Sequence, residues 1–116
     1  MNGSRLLHDA RVLVEKGWCQ GTEARDSSGL ATDVDASNAA EWSLLGALQA
    51  TAVTDPATQI RDVGAAVAAL AEVIVDPSLA GWNDCGERTK HEVVSVLREA
   101  EVLAFERSAT YEITQN

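Results

Sequence analysis

From Ser4 to Lys16 apolar side chains recur every three or four residues, at Leu6, Leu7, Ala10, Leu13 and Val14, the period of one helix face. The spacing predicts a first helix over 4–16, with Gly17 placed to close it in a left-handed conformation. The period is lost between Thr22 and Val34. There Asp26-Ser27-Ser28-Gly29 is a turn cluster between two short runs, Thr22–Arg25 and Leu30–Val34, so a small hairpin or an ordered loop is expected.

A second helix is predicted from an Asp35 or Ser37 cap to about Val53, with one small face made by Ala39, Ser43, Gly46 and Ala50. Gly46 lowers helix propensity by about 1 kcal/mol relative to Ala, and close approach of a neighbouring helix is its expected compensation. Asp55-Pro56 reads as the start of a third helix, because proline at the first helical position sacrifices no hydrogen bond. Ile60, Val63, Val67, Leu70, Ala71 and Ile74 form its stripe, but Ala and Val also fill most of the remaining circumference. Such a helix is expected at the centre of the fold or at an oligomer interface.

Asp76-Pro77 ends that helix, and Ser78–Arg88 is too irregular for a long element, so it reads as a structured loop. Thr89 and Glu92 have capping-box spacing and open a fourth helix with Val93, Val96, Leu97, Ala100, Leu103 and Ala104 facing inward. The tail after about Ala109 is expected to fray. The fold expected is mainly α, a compact bundle of about four helices in a single domain over 1–116, with an irregular or hairpin-bearing connection between the first two.

Composition sharpens this picture in three ways. Apolar residues make up 46% of the 116 residues, but many are alanine, so the core is thin. The net charge of −9 repels phosphate backbones and anionic lipid surfaces, which argues against direct nucleic-acid or membrane partners. The N-terminal segment lacks the continuous apolar run of a signal peptide, and the longest apolar stretch, Val63–Val75, falls short of the roughly 20 residues needed to span a bilayer. A cytoplasmic location is expected, with Cys19 and Cys85 as free thiols.

Three tryptophans stand in polar knots beside helix ends: Gly17-Trp18-Cys19-Gln20-Gly21, Glu41-Trp42-Ser43 and Gly81-Trp82-Asn83-Asp84. Each buried indole needs a partner for its N–H, so these positions read as anchors. The order of these motifs, together with Ala-Arg-Asp at 24–26 and Leu-Leu-Gly-Ala-Leu at 44–48, resembles an uncharacterised family of small actinobacterial and phage proteins classed as a domain of unknown function. The resemblance spans nearly the whole chain and implies no activity. Where a second Trp-Cys pair is expected from that family, this chain has Trp42-Ser43, which argues against a role needing two thiols.

The sharpest catalytic constellation would use Cys19 as nucleophile, His8 or His91 as base and Asp84 as the orienting acid. A lone cysteine beside an aromatic is more often a small core residue. No closely spaced pair of Cys or His nucleates a metal site, and the Asp33/Asp35 pair lacks the further ligands and glycine of a calcium loop. No phosphate-cradling or dinucleotide motif is present, so no cofactor is expected. Trp18, Gln20, Trp42, Trp82, Asn83 and Asp84 are the candidate binding residues; the competing reading has their polar groups satisfying loop backbone while the indoles fill the core.

The function expected is a small, acidic, non-enzymatic interaction or regulatory module, phage-related by resemblance. Its partner is another protein or a second copy held through the alanine-rich third helix. The alternatives are a small-molecule binder or cysteine-dependent enzyme with a pocket lined by Trp18, Trp42 and Trp82, and an acidic decoy with carboxylates spaced like phosphates.

Overall fold

The first amphipathic segment forms α1 (Gly3–Lys16) in the computed structural model, which describes the backbone of residues 3–115 and side chains through residue 109. Leu6, Leu7, Ala10 and Val14 are buried on one face, while Arg5–Asp9 and Arg11–Glu15 pair one turn apart outside it. Gly17 does not take the left-handed cap expected of it; among the described residues only Gly21 and Gly29 have positive φ. Its glycine is required for a different reason. A Cβ at Gly17 would collide with the carbonyl oxygen of Ala40, because the chain leaving α1 runs directly alongside residues 40–42.

The predicted turn at residues 26–29 is present, and Asp26 organises it. Its Oδ1 accepts hydrogen bonds from the Ser28 hydroxyl at 2.6 Å and from the amides of Ser28 and Leu30, which holds the carboxyl below its ordinary pKa. The returning run at 30–34 does not become the partner strand, making only an isolated bridge between Arg25 and Ala31. Instead β1 (Ala24–Asp26) pairs antiparallel with β2 (Ala39–Trp42), matching Ala24 to Trp42 and Arg25 to Glu41, with an irregularity before Asp26.

This pairing corrects the second predicted helix. Residues 39–42 have good helix formers, but their backbone is claimed by β1 and by the segment after α1, where Trp42 N–H donates to Gly17 at 3.0 Å. Tertiary pairing overrides local propensity here. Helix α2 (Leu44–Thr54) therefore begins only at Ser43, whose hydroxyl accepts from the Gly46 amide. Gly46 is packed against the Glu23 carbonyl, so the close neighbour is the residue before β1 and not a helix.

Asp55-Pro56 is also not a helix start. Asp55 caps the end of α2 and turns its carboxylate to the Ala57 amide at 2.9 Å, which delays α3 (Ile60–Val73) until after Gln59. The carboxylate of Asp62 then bonds back to the Gln59 amide. The buried side of α3 is Ala66, Ala69 and Leu70, with Ile74 at its cap, so the predicted stripe is rotated and Ile60 and Val67 face solvent. Gly3 of α1 allows this close seating, since a Cβ there would lie only 2.7 Å from the Ala66 amide nitrogen. The helix is peripheral, packing on α1 and α5 by one face and exposing the other.

The predicted loop after Pro77 contains a short helix, α4 (Leu79–Asn83), capped by Ser78. The capping box is present as expected: Thr89 N–H donates to Glu92 and the Glu92 amide donates to the Thr89 hydroxyl. Bonding to the Thr89 amide, with Arg88 adding to it, holds the Glu92 carboxyl below its usual range. Helix α5 (Lys90–Gln115) buries Val93, Leu97, Ala100 and Ala104, and its backbone stays helical past Ala109. It runs antiparallel to α1, since Lys90 Nζ reaches the carbonyl of Glu15 while Glu101 faces His8 and Arg11. Among the described residues there are thus five helices and one two-stranded sheet, a mainly helical fold.

Two glycines in helices separate packing from propensity. Gly46→Ala is expected to cost about 1–3 kcal/mol by overpacking against Glu23, whereas Gly64→Ala, where a methyl meets no neighbour, should gain about 1 kcal/mol. Urea unfolding at low micromolar protein measures both.

Candidate functional site

The three tryptophan motifs come together where α4 ends against the segment after α1 and the junction of β2 with α2. Asn83 is at the centre, 1% exposed and satisfied through four hydrogen bonds. Its Oδ1 accepts the Trp18 indole N–H at 2.9 Å and the Leu44 amide at 3.0 Å. Its Nδ2 donates to the Cys19 carbonyl at 3.2 Å and to Asp84 Oδ1 at 2.9 Å. One amide therefore spends its full donor and acceptor capacity on joining three stretches of chain.

The neighbours repeat the pattern. Gln20 donates from Nε2 to the carbonyls of Asn83 and Cys85, and the Gly21 amide donates to Asp84 Oδ1. Gly21 needs its positive φ of 82° to complete that bend. The Trp42 indole, buried, donates to the Val34 carbonyl at 2.9 Å, which pins the irregular connection against β2. Trp82 is half-buried under the Arg88 guanidinium, 3.9 Å from the ring centre, and Arg88 also donates to the Trp82 carbonyl.

Cys19 lies inside this knot, with its thiol 3.6 Å from the Thr22 carbonyl. Burial pushes its pKa up; Arg25 opposes that shift while Glu41 and Asp84 add to it. The thiol is thus kept in its less nucleophilic protonated form. The structure brings Asp84 close to it but leaves both histidines elsewhere. His8 is on α1 facing Arg11 and Glu101, about 12 Å along the helix axis from the end of α1, and His91 is exposed in the first turn of α5. Cys85 is exposed and both cysteines are free.

The cleft beside the knot is about 140 Å³, lined by Gly21, Thr22, Glu23, Leu45 and Asp84 among others and not by indole rings. Drug-sized ligand sites run from about 300 Å³ upward. No group of three or more His, Cys, Asp or Glu among the described residues is placed to hold a metal ion. No helix among them is long and apolar enough to cross a membrane.

Sequence reasoning missed Ser43 as a helix cap and Arg88 as the cover of Trp82. Ser43 had a legible signal, a hydroxyl immediately before the apolar run Leu44-Leu45. Arg88 had a weaker one, its four-residue spacing from Glu92, which it meets at 2.9 Å.

Fold and knot together define a small, mainly helical protein whose tryptophan motifs are tied to one another through a buried asparagine. The chain belongs to a family of unknown function, DUF6197, whose profile matches residues 2–103. The match takes in all three tryptophan motifs. No curated protein and no solved structure matches the chain.

Removing the Asn83 amide strands the Trp18 and Leu44 donors and the Cys19 carbonyl at about 1–3 kcal/mol each, so Asn83→Ala is expected to lose about 3 kcal/mol or more in urea unfolding followed by tryptophan fluorescence. Iodoacetamide should alkylate native protein at Cys85 alone, with Cys19 labelled only after denaturation, as peptide mass spectrometry reads directly.

Proposed function

We propose that the chain is a non-enzymatic protein-interaction or regulatory module that docks through helix faces, with the tryptophan knot as its scaffold. The observation that carries this reading is a division of labour. The knot's polar groups are engaged within the chain, while large apolar side chains that the core does not use stand on the outer faces of helices. Val102 and Phe105 on α5 are 53% and 60% exposed, one turn apart. Shallow troughs of about 380 Å³ flank Val102 on each side, one lined by Ser95, Arg98 and Glu99, the other by Ser4, Phe105 and Glu106. An exposed aromatic with a neighbouring aliphatic is the usual anchor chemistry of a protein interface. A cytoplasmic setting and a phage-related role belong to the same proposal.

Affinity purification from the native host, with variants at each face, tests it. A protein should co-purify stoichiometrically with the wild type and with Cys19→Ser, and be lost on Val102→Glu/Phe105→Glu or on Ile60→Glu. Association indifferent to both faces, or a small-molecule turnover abolished by Cys19→Ser, would overturn the reading.

A further inference from the structure

We propose that the outward face of α3 seats a second copy of this chain, the two α3 helices packing antiparallel about a two-fold axis. The proposal rests on the interaction reading above and names the partner for one of its faces. At 100° per residue, Val67, Ile60, Ala71 and Gly64 fall within an arc of about 60°, and Ala68 adjoins it. All five are exposed, Ile60 at 91%. Gly64, Ala68 and Ala71 keep most of the face low, and its two larger side chains are Val67 near the middle of the helix and Ile60 at its N-terminal end.

Charge selects the occupant. The chain carries −9 overall, so most of its surface repels a copy. The helix itself has three charged residues, and Asp62 is turned inward to bond the Gln59 amide. That leaves Arg61 and Glu72, one of each sign, on the same flank of the apolar arc and roughly 16 Å apart along the axis. An antiparallel two-fold pairing sets like flanks against each other. With its axis between residues 66 and 67, Arg61 meets the partner's Glu72 and Glu72 meets the partner's Arg61. The same axis brings Ile60 over the turn that holds the partner's Ala71, and sets Val67 beside the partner's Val67 at the centre of the contact. Two valines thus meet at the centre, and Ile60 meets alanine at each end.

Parallel pairing would put the charged flanks on opposite sides of the contact, with no cross pair. A strongly basic partner would find no row of carboxylates on this face. Glu72 already meets Arg107 of its own chain at 3.1 Å and is still well exposed, so it can take the second cation. The Val102/Phe105 face of α5 is different in kind, since Glu99, Glu101 and Glu106 border it against Arg98 alone and a second copy would bring an excess of like charge together. A single helix pair is a small interface, so the dimer forms in the micromolar range or more weakly.

Sedimentation equilibrium of the full chain at low salt, over micromolar to millimolar protein, tests the arrangement. The wild type should show a monomer–dimer equilibrium. Arg61→Glu and Glu72→Arg each replace two attractive contacts per dimer with two repulsive ones and should weaken it by roughly tenfold or more, and the double reversal should restore it. Circular dichroism confirms that each variant folds. A wild type monomeric throughout, a dimer unmoved by the single reversals, or a double variant no stronger than the singles would overturn the proposal. Such a failure, with Val102→Glu/Phe105→Glu still abolishing capture of another protein, leaves the interaction reading standing; loss of both removes it.

Discussion

The buried amide of Asn83 is the constraint on which the arrangement of this fold depends. A side-chain amide withdrawn from water costs free energy unless its donors and acceptor are all met. Here they are met by the Trp18 indole, the Leu44 and Cys19 backbone and the Asp84 carboxylate, four groups that cannot be brought together unless α1, α2 and α4 are already in their native positions. The apolar core supplies the bulk of the driving force but little direction, since so much of it is alanine. The amide supplies the direction.

How far the sequence disclosed this can be judged element by element. Helix α1 and the inner face of α5 were legible because a three-to-four residue period and a Thr-x-x-Glu box are local signals, written within one turn of the residues they govern. The tryptophans were legible as anchors because an indole N–H is costly to bury alone. Residues 39–42 were misread as helix since Ala-Ala-Glu-Trp favours helix locally and nothing in it announces that residues 17 and 24 will claim its backbone. The face of α3 was misread because Ala and Val surround it on nearly all sides, leaving the periodic signal too weak to say which side faces in. Asp55-Pro56 was ambiguous in a third way, its carboxylate being equally able to cap a helix or close a turn. The candidate site was therefore found by residue identity, while the partners of Trp18, Gln20 and Asn83 were not, since they are tens of residues away.

The same structure relates the core to the surface. Groups that would equip a catalytic pocket, a thiol, a carboxylate and two side-chain amides, are drawn into internal bonds, and the thiol's pKa is raised and not lowered. Two of the helix surfaces left outside differ in kind, an acidic-bordered aromatic ridge on α5 and a locally neutral, small-residue face on α3. The core admits side chains as large as Ile74 and Trp42, so Ile60 and Phe105 stay in solvent because their places on α3 and α5 turn them away from it.

The Trp18–Asn83 bond joins residues 65 apart in sequence, and the whole of β1, β2, α2 and α3 lies within the loop it closes. Bringing such distant points together carries a chain-entropy cost that local helix formation does not, so helices can form early while the indole environments are completed only as the last long-range contacts close. The fluorophores thus act as a native clock for folding, reporting ring closure where circular dichroism reports helix growth, and the lag between the two signals measures how long this chain exists as helices without a fixed arrangement.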